Sequence, residues 1–465
     1  MKNIFLVLLC ATLLSLIPSC KKESFTSSPN ARLRISTDSL KFDTVFTSTG
    51  SVTQSFKIVN ENDQQLRLSE IKLMGGTASP FKININGIAS PALSNVEIRA
   101  NDSIYIFVSV TINPSAANLP FIISDSISIQ YNGNQRWVQL EAFGQNANFL
   151  RNEVIATNTT WTNNLPYVIL GSLLVAPDVT LTILPGVKIY SHADAPFVVD
   201  GTLLANGTVN NKIIFTGDRL DEPYKNFPAS WPGIFFRSSG KNNLLQFVEI
   251  KNAYQAVVVL EPSLNANPKL IMQQCIIDNA FNAGILGSNS SVQASNLLVS
   301  NCANNIMLEK GGSYSFNHCT VASYSSNLLL HKTPVLSVTN FAAGNPTARD
   351  LQATFTNSIF WGDKGFVENE IVVNKQGSTI FDVRFLNCLY RASIDPVNST
   401  ITAAIKNIDP LFDSVDVTAR IYNFRHNSQP LAPGINKGLT TPLSVDLDNK
   451  PRPVGVPDIG CYEKQ

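Results

Sequence analysis

Short apolar segments recur through the middle of the chain with the same chemistry at the same offset. The segments LLQFVEI, IMQQCII, SNLLV, FNHCTV, FTNSIF and FLNCLY align so that one column reads Val248, Cys275, Leu297, Cys319, Ser358, Cys388. The column two residues on reads Ile250, Ile277, Val299, Val321, Phe360, Tyr390. Alternation along a strand puts both columns on one face. From Cys275 onward the first column advances by 22, 22, 39 and 30 residues, so turns of constant size carry loops in their later copies. A period in the twenties is that of stacked coils. The position before the first column holds Phe247, Gln274, Asn296, His318, Asn357 and Asn387. Amides there predict a tight bend, because Asn tolerates left-handed backbone, and a ladder in which each amide bonds to the next turn. A β-sandwich with Asn residues merely marking turns is the alternative. The outward column between the two buried ones, Glu249, Ile276, Leu298, Thr320, Ile359, Leu389, is too apolar for a face in water. The excursion 323–352 or the final tail is expected to cover it, with a partner protein as the rival.

Ahead of this region, residues 32–146 alternate as half-buried strands: SFKIV, SIYIFVSVTI, DSISIQY and RWVQLEAFG, punctuated by Gly, Asn, Asp and Pro. Short strands at regular spacing predict an antiparallel sandwich. Their order resembles immunoglobulin-like domains of the ASPM/SPD-2/hydin type. The pattern lapses into Asn and Thr over 147–165, which reads as a linker and N-terminal cap. From Tyr167 short strands resume. LTILPGVKIY followed by VDGTLLANGT resembles the opening coils of right-handed parallel β-helix (pectin-lyase-like) surface proteins, a resemblance that extends over 166–392. The expected fold is therefore all-β: an immunoglobulin-like sandwich, then a right-handed parallel β-helix. The remaining segment, 393–465, holds APGINKG and VDLDNKPRPVGVPDIGCYE. Asp446, Asp448, Arg452, Asp458, Gly460, Tyr462 and Glu463 resemble the choice-of-anchor Q type carboxyl-terminal segment, with Cys461 where that pattern has Ala. The resemblance implies a cap over the open last coil and its strand edges. Asp446 and Asp448 could hold calcium, or pair with Arg452.

At the other end, Lys2, the apolar run Ile4 to Ile17 and Ile17-Pro18-Ser19-Cys20 form a targeting segment, residues 1–20. Small residues before Cys20 resemble the bacterial lipobox, which implies a diacylated Cys20 as mature N-terminus and membrane anchor. Residues 21–31 read as a polar tether. Lys21 and Lys22 imply passage to the outer membrane, and Glu23 beside them resembles a surface-export tag. The formal net charge of +1, without a basic stripe, sets nucleic acid aside. Five cysteines follow Cys20, an odd number, and Cys275 and Cys319 share a column two turns apart. Strand spacing puts them about 9.6 Å apart, beyond disulfide reach, so they are expected as buried free thiols.

The insert 217–236 is the richest surface chemistry in the chain: Asp218, Arg219, Asp221, Glu222, Tyr224, Lys225 and Trp231. Carboxylates and a flat aromatic could grip a sugar, so Asp218, Arg219, Asp221, Tyr224 and Trp231 are the ligand-binding candidates. The other reading is a loop over the wall with Trp231-Pro232 as its plug. No Cys/His spacing forms a zinc site, and His318 beside amides fits a hydrogen-bonding role. No Asp pair precedes a Gly-His-Gly, and no Arg/Lys pair recurs on successive coils, so no catalytic residues are assigned. The expected function is glycan or protein binding by an exported, lipid-anchored envelope protein that needs no cofactor. A polysaccharide lyase or hydrolase is the alternative.

Overall fold

The computed structural model describes residues 24–46, 51, 53–112, 121–221, 223–342, 344, 347–428 and 431–465. Cys20 and the leader lie outside them. The fold is nearly all-β, with two 3-10 turns, Gly76–Ala78 and Tyr224–Asn226, as the helical pieces of the described residues. The chain divides into two compact units, Met1–Gln145 and Asn146–Gln465.

The first unit is sandwich-like. Phe25–Thr26, Gln65–Leu73, Phe121–Tyr131, Asn134–Gln145, Ser39–Phe46 and Ala92–Ile98 form one sheet; Leu33–Ile35, Gln54–Asn60, Ser103–Val110, Phe81–Ile85 and Ile88–Ala89 form the other. Alternation, with one break between Leu68 and Ile71, fills the space between them. Ser103–Val110 buries Ile104, Ile106, Val108 and Val110, and Gln65–Leu73 buries Leu66, Leu68, Ile71 and Leu73. Pairing is mostly antiparallel, but Asn134–Gln145 and Ser39–Phe46 run parallel.

The second unit is one sheet of 24 strands in which strands pair in parallel with the strand a full turn later. Its register is the one read from the segments: Ile250 opposes Ile277, then Val299, Val321, Phe360 and Tyr390, each in turn. Two further inward columns complete the core. Phe197, Ile234, Val257, Ile285, Ile306, Leu336 and Ile371 make one. Ala205, Leu245, Met272, Ala294, Phe316, Phe355 and Phe385 make the other. In the latter the rings stack face to face, Phe316 on Phe355 at 5.4 Å and Phe355 on Phe385 at 5.0 Å. Two expected boundaries move. The sheet begins at Asn148, inside the stretch expected as linker, because Asn148–Ile155 pairs with Tyr167–Val175. It runs to Lys406 rather than 392, because Thr400–Thr402 and Ile405–Lys406 pair with the preceding turn. Few buried apolar side chains mark these end turns, so alternation is faint there.

All six residues before the first column have left-handed backbone, φ 48° to 52°. Their amides, however, do not form a turn-to-turn ladder; one such bond exists, from Asn357 Nδ2 to His318 Nε2 at 2.9 Å. Three of the amides reach the C-terminal segment: Asn296 Nδ2 donates to Val445 O, Asn357 Nδ2 to Leu439 O and Asn387 Nδ2 to Lys437 O, each at 2.8 Å. That segment therefore docks along the side of the turns rather than as a cap over the last coil. It covers the apolar wall: Leu298, Ile359 and Leu389 pack with Phe412, Phe424, Leu447, Ile459, Cys461 and Tyr462. A true Asn ladder exists at another bend, where Asn279 Nδ2 donates to Asn252 Oδ1 at 2.7 Å, and both residues are left-handed.

The five cysteines that follow Cys20 are buried and free, and burial raises the thiols of Cys275, Cys388 and Cys461 to about 12. Thiols this hard to ionise are inert.

The tail also encloses two histidines that burial holds neutral, His318 pulled down to about 3 and His426 to about 4 from an ordinary 6.5. As pH falls below 6.5 the unfolded chain takes up protons that these rings refuse, so stability is lost from pH 6.5 down to about 4 for His426 and about 3 for His318. At pH 5.5 the expected loss is about 1 kcal/mol per histidine relative to pH 7.5. Urea midpoints of the wild type and of His318→Gln at the two pH values check it. Equal pH dependence in both proteins contradicts the assignment.

Candidate functional site

The insert folds into a tight polar cluster. His192 Nδ1 lies 2.7 Å from Asp218 Oδ2, with the ring half exposed and the carboxyl mostly buried. Burial raises the Asp218 carboxyl, and the His192 hydrogen bond works against that rise. Arg219 grips Asp221 in a fork, Nε to Oδ1 at 2.7 Å and Nη2 to Oδ2 at 2.9 Å. Its guanidinium sits 4.0 Å over the exposed Tyr224 ring. The loop is tied down from beneath, where Asn252 Nδ2 donates to Lys225 O and Asn279 Nδ2 to Asn226 O. Four of the five candidates, Asp218, Arg219, Asp221 and Tyr224, thus share one loop.

Trp231 is the exception and is corrected: it is 1% exposed. Its indole N–H donates to Lys251 O at 2.8 Å, and its ring stacks on Phe215. The reason is register. Trp231 bridges Ala253 in parallel and so continues an inward column as the plug of the turn. It cannot touch a ligand.

A larger concavity lies elsewhere, over the outward positions of strands in consecutive turns. This groove of about 910 Å³ is walled by residues 262–268 on one side and 348–350 with 379–380 on the other. Gln293, Ser313, Ser315 and Gln352 line its floor, and Asn265, Asn267 and Asn289 its rim. Asp350 and Arg349 are the charged residues among its lining, and Asp350 Oδ1 accepts the Ile380 N–H at 3.0 Å. A single carboxylate cannot provide the acid and base of glycosidic hydrolysis. Lys269 anchors the first wall. Its buried ammonium donates to Arg237 O, Ser238 O and Leu260 O at 3.1, 3.1 and 2.7 Å, and burial lowers it to about 8. Nothing in the sequence singled out these residues; Asn, Ser and Gln at loop and outward positions are ordinary, and only folding brings 262–268 beside 348–350.

Two further charged groups have buried centres, Glu370 in one and Asp446 with Arg452 and Glu463 in the other. Glu370 bridges His331, at 3.0 Å, and Arg391, at 2.5 Å, and so ties the excursion 323–352 to the turns through His331. In the tail, Asp446 accepts the backbone N–H groups of Asp448, Lys450 and Glu463. Asp448 pairs with Arg425, and Arg452 pairs with Glu463 at 3.1 Å. The Asp446 and Asp448 carboxylates are thus committed to turn and ion-pair contacts, and the expected Arg452 pairing falls to Glu463 instead. Among the described residues no group of three or more His, Cys, Asp or Glu side chains could hold a metal ion.

Trp231→Ala should therefore cost about 3–5 kcal/mol of stability, as for other buried aromatics. Tyr224→Ala should stay within about 0.5 kcal/mol of wild type, as exposed positions do. Urea unfolding of both variants checks this. A neutral Trp231→Ala would return the indole to the list of surface groups.

No family model matches the chain, and neither does any curated protein. Solved structures are similar to parts of it, among them the following three. The ASH/PapD-like domain 7 of human CEP192 is 8% identical over 26% of this chain and 89% of that one, with a TM-score of 0.18. A family 123 glycoside hydrolase from Clostridium perfringens, described for glycolipid glycan hydrolysis, is 10% identical over 27% of this chain, with a TM-score of 0.18. The Pseudomonas fluorescens alkylpurine DNA glycosylase AlkC, bound to DNA containing an abasic site analog, is 11% identical over 25% of this chain, with a TM-score of 0.16. The chain spans 26% and 31% of the lengths of these two enzymes. At such low scores none of the three carries a fold or an activity across.

Proposed function

We propose that the chain is an exported, lipid-anchored protein of the bacterial cell envelope, with an immunoglobulin-like first unit and a right-handed parallel β-helix as its second. Its task is to bind polysaccharide without cleaving it. The carrying observation is the groove between 262–268 and 348–350, whose floor and rim are hydroxyls and amides, with Arg349 and Asp350 as its charged residues in one wall. Uncharged donors and acceptors at an open groove suit a neutral glycan, which offers many hydroxyls and no charge. The tail belongs with the choice-of-anchor Q type segment in this reading, and serves to cover the apolar wall.

One observation favours catalysis instead. A half-exposed imidazole held by a mostly buried carboxylate, His192 on Asp218, is the arrangement of a general base. A lyase must also neutralise the uronate carboxylate, and Arg219, the nearby cation, has its fork filled by Asp221. Binding is therefore the stronger reading.

Two experiments test the proposal. Expressed with its leader in a Gram-negative host, the wild type should incorporate labelled palmitate and fractionate with outer membranes; Cys20→Ala should lose the label and become soluble. An unlabelled wild type ends the lipoprotein reading. Separately, the purified chain should retain at least one neutral polysaccharide in affinity electrophoresis, and Gln293→Ala/Gln352→Ala should weaken it about tenfold, as for one or two lost hydrogen bonds. Unsaturated sugar ends appearing on incubation with a uronate polysaccharide, and lost in His192→Ala, would make it a lyase.

A further inference from the structure

We infer that the groove is a slot that holds one bare segment of a neutral polysaccharide crosswise to the coil axis, and that its two walls exclude a densely branched chain. The inference rests on the glycan reading and names which glycans that site takes.

The direction follows from where one corner of the coil is long and where it is short. Successive turns are marked by Leu270, Val292, Tyr314, Ala353 and Val383, each paired with the next. In the turns of Val292 and Tyr314 the chain passes the corner without leaving the sheet, because Ala283–Ser300 and Asn304–Ser323 are unbroken strands. Glycine lets the second of these corners lie flat: Gly312 has φ 121°, and a Cβ there would stand 2.3 Å from Ser290 O. In the flanking turns the same corner is interrupted, by the loop 262–268 before Leu270 and by the segments holding 348–350 and 379–380 before Leu351 and Phe381. The walls therefore stand at the two ends of a short stretch of axis. A chain laid along the axis runs into a wall in either direction, whereas one laid along the strands meets neither.

The turn count sets the width. From the turn of Leu270 to that of Ala353 is three steps, ~14 Å between backbones at the spacing of paired strands. The side chains of the walls occupy part of that span, which leaves room for one chain of sugars. Both walls are tied back. Asn242 Oδ1 accepts Asn265 Nδ2 and Asn267 Nδ2, each at 3.0 Å, while Lys269 holds the base of the same loop through Leu260 O. Opposite, Asn340 Nδ2 donates to Gln376 O at 2.8 Å and Thr379 Oγ1 to Arg349 O at 3.1 Å, so the two segments of that wall brace each other. A slot held in this way needs no ordering on binding, and it does not widen to admit a bulkier chain.

Width then selects the ligand. Gln293, Ser313 and Ser315 on the floor, with Gln352 at the foot of the second wall, are placed to hydrogen-bond the hydroxyls of one side of the chain. Successive residues of an extended chain turn their edges alternately to the two walls, so branches on most residues collide with one wall or the other. Where branches are sparse, the chain slides until a bare stretch lies in the slot. Discrimination is steric, a clash built against the wrong chain rather than an added contact to the right one.

The test uses the full chain in affinity gels containing pairs of polymers that share a backbone: galactomannans with sparse and with dense galactose, xylan and arabinoxylan, debranched and branched arabinan. The bare member of the bound pair should be retained about tenfold more strongly than the dense one. Replacing 263–267 by two glycines should abolish that difference and leave retention of the bare member unchanged. Far-UV spectra and urea midpoints must match the wild type for the result to count; if the shortened chain unfolds, Asn265→Ala/Asn267→Ala, which cuts the ties to Asn242 and keeps the loop length, replaces it and should narrow the difference. A wild type that retains both members equally or prefers the dense one, or a difference that survives loosening of the wall, overturns the slot; the groove reading stands if Gln293→Ala/Gln352→Ala still weakens retention of the bare member. Retention that this floor variant leaves untouched overturns the groove reading and the slot together. So does a wild type that none of these polymers retains.

Discussion

The second unit depends on one constraint: each turn must close on itself in the same number of strand residues, so that its backbone bonds fall on the turn before. Parallel pairing is non-local, and it pays off only when the register is kept turn after turn. Where it is kept, like lies over like, as in the Phe316, Phe355 and Phe385 stack. Closure in turn requires sharp corners, and the left-handed residues from Phe247 to Asn387 provide one of them in every turn. Any L residue there sacrifices some backbone energy, and Asn sacrifices least after Gly. The corner amides follow from the geometry of the turn and were then available for another use.

That use is to hold the C-terminal segment. Asn296, Asn357 and Asn387 reach backbone carbonyls of Val445, Leu439 and Lys437 rather than side chains, so the segment is gripped along its main chain. Asn357 also accepts the Leu439 N–H at 2.7 Å, closing a two-way contact. Beside this rail the apolar wall buries Ile359 and Leu389 against Ile459, Cys461 and Tyr462. Hydrogen bonds fix the position of the segment, and apolar burial drives its association. The buried neutral His318 belongs to the same seam: a charged ring there would have to be desolvated beside the Asn357 amide, which donates to it.

What could be read from the sequence was whatever repeats. The turns from Cys275 to Cys319 have equal length, so their columns were visible, and the observed pairing of Leu297 with Cys319 keeps that alignment. The oddly apolar outward column announced a cover. Its partner could not be identified with certainty, because Asn296 and Val445 are 149 residues apart and nothing local links them. Trp231 misled because Pro and polar neighbours looked like a surface loop, whereas its bridge to Ala253 places it in the stack. The groove left no trace at all: its two walls come from loops more than one turn apart, made of residues that any loop could carry.

Covering one side of a coil leaves the others to meet the solvent, and that division bears on function. The wall under the tail is spent on stability, with its hydroxyl at Thr320 taken by the Cys461 N–H. The groove face presents Gln293, Ser313, Ser315 and Gln352 outward, where no segment of the described chain covers them. A sheet that buried apolar groups on every face would need covering everywhere, whereas one that faces water with small polar groups can stay open without aggregating. Openness therefore has a physical basis in residue choice: hydroxyls and amides that water can satisfy, set on a rigid stacked surface.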